Sequence, residues 1–414
     1  MLGVGVAEGS GYIPTLLRRT VQITPRRIIT PVVVFLGVLS NVASDAGYVV
    51  LIPVGALMFS AYGRHPMAGL AAAFAGVSGG YSANLIIGST DPLLAGISTE
   101  AASMIQPGRI VGPTANWYFM IASTVLITLI GTLVTDRIVE PRLSADPKIG
   151  TPERLPAEIP VSERRALRAA NLTLLGLVAL LIALSLPARS FLRNPETGSL
   201  ISASPLMNGI IVLIALGFFI PATVYGFWSG TFVSEKEVCA QMGKAMSSMG
   251  GYIALAFVSA QFINYFSYTN LGTILAIHGA NLLEATGIGG IPLMLLFILF
   301  TAFTNLFMGS ASAKWTILAP VFIPMFMLLG YSPELTQVAY RIGDSCTNLI
   351  TPLMSYFAMI VVFAKKYDPA SGIGTLISTM LPYSLFFLLG WSGLLVVWML
   401  LGLPLGPGAA LMLA

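Results

Sequence analysis

Residues 305–352 lie among apolar runs of bilayer length, yet they carry Lys314, Trp315, Glu334, Arg341 and Asp344. The same stretch is cut by Gly309, Pro320, Pro324, Gly330, Pro333 and Gly343. Charges at membrane depth are costly and are functional candidates by default. A broken helix at that depth survives only where protein surrounds it or where it lines a water-filled cavity. Whatever this chain folds into must therefore enclose this segment.

An earlier stretch repeats the pattern. Residues 41–86 align with 305–350 after one three-residue insertion and one three-residue deletion. Asn41, Pro53, Gly63, Pro66, Gly76 and Asn84 then fall on Asn305, Pro320, Gly330, Pro333, Gly343 and Asn348. Apolar matches are cheap in such a sequence, but ordered matches of Asn, Pro and Gly are not. Paired hydrophobic segments interrupted by Gly and Pro in two halves point to the binding site of a secondary transporter. The expectation is an all-α polytopic membrane protein, with inverted repeats and two re-entrant helical hairpins.

Composition excludes a soluble fold. Only 9% of the 414 residues are charged, 56% are hydrophobic, and mean hydropathy is +0.85. The net charge of +4 comes from basic residues scattered over loops. That fits the basic bias of cytoplasmic loops and gives no reason to expect a nucleic-acid partner. Cys239 and Cys346 lie too far apart in sequence to suggest a redox or metal motif.

The chain reads as one transmembrane domain of seven to nine spans. Repeat 1 covers about 30–116, connecting helices and an Arg-rich cytoplasmic loop about 117–250, and repeat 2 about 251–366, with a final helix at 376–403. The first residues read like the end of an apolar helix cut off upstream. An N-terminal part of the natural protein is therefore expected to be missing.

Several residues carry candidate chemistry. Arg341 and Asp344 are three apart and share one helix face. They form either an internal pair that holds the hairpin or a working pair. In the second case Arg341 binds a solute carboxylate bidentately and Asp344 is the protonatable partner. Trp315 aligns with Tyr48, placing an aromatic at the tip of each hairpin to flank a flat ring; the alternative is an interfacial belt. Ser312, beside Lys314, aligns with Asp45. Asn41, Asn84, Asn305 and Asn348 are amides at helix breaks, where freed carbonyls can also hold a cation. Asp91 precedes Pro92 and is either a helix N-cap or a solute contact.

Enzymes are disfavoured. There is no H-E-x-x-H, no paired aspartate motif, and only His65 and His278 are present. No P-loop is present to support primary pumping by this chain. Proton coupling fits Asp344 and Asp91, whereas sodium coupling fits the Asn-rich breaks, with site residues unassigned.

Several long motifs resemble the AbgT family: SDAGYVVLIP from Ser44, GSTDPLLAG from Gly88, AKWTILAPVFIPM from Ala313 and YRIGDS from Tyr340. The family comprises bacterial inner-membrane transporters of p-aminobenzoyl-glutamate and exporters of sulfonamide-type antimetabolites. The resemblance spans nearly the whole chain. It implies a homodimer in the bilayer, nine-helix protomers, two re-entrant hairpins and an inner aqueous cavity. By position it assigns functional roles to Asp91, Asn305, Ser312, Trp315, Pro333, Arg341 and Asp344. It implies an aromatic carboxylate or sulfonamide solute, no cofactor, and H+ or Na+ as the coupling ion, with proton-driven export favoured. The alternative is sodium-coupled import of p-aminobenzoyl-glutamate or another dicarboxylate.

Overall fold

Where the sequence alternates apolar runs with Gly- and Pro-bearing breaks, the structure alternates helices with tight turns. A computed structural model describes residues 2–43, 47–88, 90–144, 159–187, 190–200, 204–248, 250–287 and 289–413. Asp45 lies outside these residues. The described residues form helices and turns with isolated bridges only. They fall into two compact units.

One unit comprises Met1–Ile23, Val42–Ala46 and Ala157–Ile253. Its helices Val161–Ser185 and Ile210–Ser229 pack together, joined by the helix Tyr12–Ile23. The Tyr12 hydroxyl donates to Asn171 Oδ1 at 2.9 Å, and the Thr15 and Tyr225 hydroxyls meet at 2.8 Å. Leu172, Leu175 and Leu186 of this unit are exposed, as helices that face lipid require.

The other unit comprises Thr24–Asn41, Gly47–Pro156 and Ala254–Ala414. Its main helices are α1 (Ile29–Ser40), α2 (Ile52–Ala61), α3 (Pro66–Phe74), α4 (Thr90–Ser103) and α5 (Trp117–Val134). They continue with α6 (Leu271–Thr286), α7 (Gly290–Asn305), α8 (Ala311–Leu328), α9 (Pro333–Thr347), α10 (Phe357–Tyr367) and α11 (Ile373–Leu400). Helices α2 and α3 form one hairpin, and α8 and α9 form another.

The two hairpin turns are built alike, bond for bond. Gly63 and Gly330 both adopt left-handed φ, +68° and +86°. Arg64 N–H donates to Phe59 O at 2.8 Å, and Tyr331 N–H donates to Phe326 O at 2.9 Å. Gly63 N–H reaches Ser60 O and Gly330 N–H reaches Met327 O, both at 2.9 Å. A helix that ends this way satisfies its last carbonyls through a left-handed residue, which explains the glycines. Pro66 and Pro333 then open the second arms at the first helical position, behind N-caps His65 and Ser332.

The second arms also dock alike. A Cβ on Gly76 would strike the Val34 carbonyl, and one on Gly343 would strike the Ile298 carbonyl and Thr301 Oγ1. Val34 lies seven residues before Asn41, and Ile298 seven before Asn305. Each hairpin therefore presses a glycine against the same turn of the helix that precedes it. Gly76→Ala and Gly343→Ala are each expected to destabilise the protein by about 1–3 kcal/mol, because the obstructing atoms are largely backbone. Thermal unfolding in detergent checks this, and equal tolerance of alanine at both sites would contradict the shared docking.

The turns are anchored by different means. Arg64 Nε donates to Glu140 Oε1 at 2.9 Å, and its other nitrogens reach Asp136 at 2.6 Å and Thr30 at 2.7 Å. The second turn is clasped by main chain from beyond α11. Ser332 N–H donates to Leu411 O at 3.0 Å, and Leu413 N–H donates to Gly330 O at 2.8 Å. Leu405 O in the same segment accepts from Tyr118 and Phe119 N–H at the start of α5.

Three expectations need correction. Tyr48 and Trp315 are not at the hairpin tips, because the reversals fall at Gly63 and Gly330, where left-handed backbone is required. Each aromatic sits at the opposite end, where its first arm begins. Among the described residues, five helices, or six if a bent pair is one span, are long and apolar enough to cross a bilayer, against the seven to nine expected. Arms such as α2, with 10 residues, are too short. The final helix starts at Ile373, earlier than position 376, behind Gly372.

Candidate functional site

Helix α9 is a polar helix in this unit, yet it is fully enclosed. Glu334, Thr336, Gln337, Arg341, Asp344, Ser345 and Thr347 lie along it, and all 15 of its residues are buried. Burial of so much polarity is unfavourable unless each group has a partner. The partners come from several elements.

Arg341 Nη1 lies 2.6 Å from Asp91 Oδ1 in the first turn of α4. Lys314 Nζ, on α8, lies 2.6 Å from Asp344 Oδ1. All four side chains are at most 5% exposed. Neither contact is aligned as a hydrogen bond at the carboxylate oxygen, so the attraction is mainly between charges. The intrahelical Arg341–Asp344 pair expected from spacing is replaced by two pairs between elements. Sharing a helix face made the two residues neighbours, but α4 and α8 each bring an opposite charge closer. Asp91 is likewise not an N-cap. The helix begins at Thr90, and Asp91 Oδ2 turns back to accept Gly88 N–H at 2.6 Å.

Asn305, the last residue of α7, joins these groups. Its Nδ2 lies 2.7 Å from Asp344 O and 2.9 Å from both Thr347 Oγ1 and Asn348 Oδ1. Its Oδ1 accepts from Lys314 Nζ. One amide thus fixes the end of α7, the last turn of α9 and the Lys314 ammonium. Asn41 is used more locally, donating to Val38 O at 3.1 Å at the end of its own helix. Asn84, with its amide oriented to satisfy its neighbours, donates to the same carbonyl.

Trp315 is fully buried, which removes the interfacial-belt reading. Its ring stacks on Tyr340 at 4.4 Å, and its Nε1–H donates to Ser98 Oγ at 3.0 Å. Ser98 Oγ in turn donates to Gln337 Oε1 at 3.0 Å. Tyr48 stacks on Tyr356 at 4.6 Å. Ser98, Gln337 and Tyr340 had no role in the sequence reading. Tyr340 stood inside a recognised motif, whereas single hydroxyls and amides such as Ser98 leave no repeat or charge signal.

The remaining predicted residues are less central. Ser312 is half-buried at the start of α8, 3.4 Å from Ser310 Oγ. Pro333 opens α9 about 16 Å along the axis from Asp344, from the helix rise alone. A cavity of about 10 Å³ against Arg341 is lined by Ser82, Asn116, Val338, Ile342 and Trp391 among others. That is room for about one water molecule. Arg341 Nε and Asn116 Oδ1, at this cavity, have no hydrogen-bond partner among the described residues. The arrangement is therefore a closed, internally neutralised charge cluster, and a solute of aromatic size enters only if the surrounding helices part.

A model of the AbgT transporter family matches residues 1–413. The chain belongs to the AbgT family. It is 39% identical over 413 residues to the p-aminobenzoyl-glutamate transport protein of Escherichia coli K12, covering 99% of this chain and 80% of that one. Among solved structures it resembles the Alcanivorax borkumensis YdaH transporter, described as having an unusual topology. The TM-score is 0.94 at 51% identity, covering 98% of this chain and 85% of YdaH. Neisseria gonorrhoeae MtrF, described with a class of antimetabolite efflux pumps, aligns with a TM-score of 0.88 at 49% identity, over 99% and 81% of the two chains. The AbgT assignment makes the chain a multi-pass membrane transporter and not an enzyme.

Proposed function

We propose that this AbgT-family chain is a secondary active transporter of the bacterial inner membrane, driven by the proton-motive force. Its solutes are p-aminobenzoyl-glutamate-like folate catabolites and sulfonamide-type antimetabolites. The observation that carries this reading is α9, which buries two cations and two carboxylates contributed by three elements. Such a cluster is weak as a source of stability and well suited to a switch. The p-aminobenzoyl-glutamate named for the Escherichia coli relative fits it in kind, with carboxylates for the cations and an aryl ring for the Trp315–Tyr340 stack.

The two hairpins are read as inverted repeats re-entering the bilayer from opposite sides, within a homodimer. The matching turns and glycine contacts support the repeat itself. Transport direction follows solute class. A solute that hydrogen-bonds ionised Asp344 is displaced when Asp344 takes up a proton, which is exchange and hence export. A carboxylate that requires Asp344 to be protonated travels with the proton, which is import.

Flux in proteoliposomes under an imposed proton gradient, and then a sodium gradient, tests the proposal. Uphill movement of either solute with the proton gradient alone is the expected result. Movement that follows sodium and ignores protons would establish the competing reading, a sodium-coupled dicarboxylate importer. The amides clustered at the α7 break favour that reading. Downhill equilibration under both gradients would overturn active transport.

A further inference from the structure

We infer that Lys314 is a second carboxylate-binding cation, held in reserve by Asp344, and that with Arg341 it selects solutes bearing two carboxylates. The inference deepens the transporter reading and rests on it.

The two buried cations are not equivalent. Arg341, which lines the small cavity, engages Asp91 through Nη1, while its buried Nε has no hydrogen-bond partner among the described residues. A guanidinium has five donors, so Arg341 can take a solute carboxylate and keep Asp91. Lys314 is different. Its ammonium is 1% exposed and is occupied by Asp344 Oδ1 and Asn305 Oδ1, with the Tyr340 ring 5.7 Å away. It can accept a solute only when Asp344 lets go. A proton on Asp344 does that, because it removes the charge that holds the ammonium and leaves Lys314 an uncompensated buried cation.

Arg341 and Asp344 are one turn apart on α9, so Lys314, held at Asp344, meets the same stretch of α9 that carries Arg341. A glutamyl group places its two carboxylates on one short chain, so one solute can present a carboxylate to each cation. Proton uptake at Asp344 and carboxylate uptake at Lys314 are then linked, and each must favour the other.

Other groups facing Asp344 do not supply the second cation. Within its field lie Tyr81, Tyr340, Arg341 and Cys346, with Asp91 beyond Arg341. Helices α7 and α11 and the turn Ala75–Gly79, which also pack on α9, contain no charged residue.

The test measures binding of p-aminobenzoyl-glutamate, p-aminobenzoyl-glycine and sulfanilamide, with two, one and no carboxylates, to the full chain in detergent. Measurements are made at mildly acidic and mildly alkaline pH. In the wild type, the dicarboxylate should bind more tightly as pH falls. Lys314→Gln should weaken dicarboxylate binding about tenfold or more, the scale of one charge-assisted hydrogen bond, and flatten its pH dependence. The other two solutes should change far less. Asp344→Asn should bind the dicarboxylate at alkaline pH as the wild type does at acidic pH. A merely structural pair cannot produce that gain.

Equal loss for all three solutes in Lys314→Gln, or weaker dicarboxylate binding in Asp344→Asn, would overturn the inference. Should a single variant fail to fold, the neutral pair Lys314→Gln/Asp344→Asn replaces it. It should bind the mono- and dicarboxylate equally, and a retained dicarboxylate preference overturns the proposal. A wild type that binds none of the three probes defeats the transporter reading and this inference with it. Wild-type binding with an unchanged preference in Lys314→Gln defeats the inference alone.

Discussion

Arg341→Gln is expected to lower stability by about 3–5 kcal/mol, since removing one partner strands a buried charge. The stranded group is Asp91, only 2% exposed, whose other contact is the Gly88 N–H. The double variant Asp91→Asn/Arg341→Gln should recover most of that loss, because a neutral amide pair leaves no bare charge. Arg109→Gln provides the contrast. Arg109 pairs with Glu334 at 3.1 Å and is itself 28% exposed, whereas Glu334 is 4% exposed, so water entering at the Arg109 position replaces only part of the pairing and an intermediate loss of about 1–3 kcal/mol is expected. Thermal unfolding of the four proteins in detergent decides the matter. Similar losses for Arg341→Gln and Arg109→Gln would show that water reaches Asp91 as readily as Glu334.

Trp315→Ala is expected to cost a similar amount, about 3–5 kcal/mol, as a fully buried indole is exchanged for a cavity. The ring's neighbours explain the size. Its stack on Tyr340 ties α8 to α9, and its N–H to Ser98 ties α8 to α4. Trp315→Phe should retain a stacked ring while losing the hydrogen bond and part of the indole's volume, at about 1–3 kcal/mol. Ser98 still has Gln337 in that variant. Unfolding measurements on the two variants separate the stacked ring from the hydrogen bond and the lost volume. If Trp315→Ala unfolds like the wild type yet binds benzoyl solutes about 1–2 kcal/mol more weakly, the ring serves the solute and not the fold.

What was legible in the sequence was the backbone. Gly63 and Gly330 are glycines because the hairpin turns need left-handed φ, and Gly76 and Gly343 because another helix touches them there. Those constraints act on one residue at a time and survive in both halves, so alignment finds them. The identities of the buried charges were legible too, since charge stands out in an apolar chain. Their pairing was not. Spacing along α9 shows that Arg341 and Asp344 share a face, but says nothing of Asp91 on α4, whose approach is set by tertiary packing. The same limit hid Ser98 and Gln337, ordinary polar residues until α4 and α9 are placed side by side.

The clasp on the second hairpin turn bears on the order in which the chain is made. Leu411 and Leu413, which bond Ser332 and Gly330, follow every helix of the described chain. A ribosome delivers them after α8, α9 and α11. Until then, main-chain groups at that turn lack these partners, a costly condition wherever water is scarce. The first hairpin does not wait in this way, because Arg64 meets Glu140 and Asp136 as soon as the segment after α5 emerges. Insertion therefore proceeds from a hairpin that closes early to one that closes only after α11 has been made. A chain cut before Leu411 would carry a second hairpin turn without these main-chain partners.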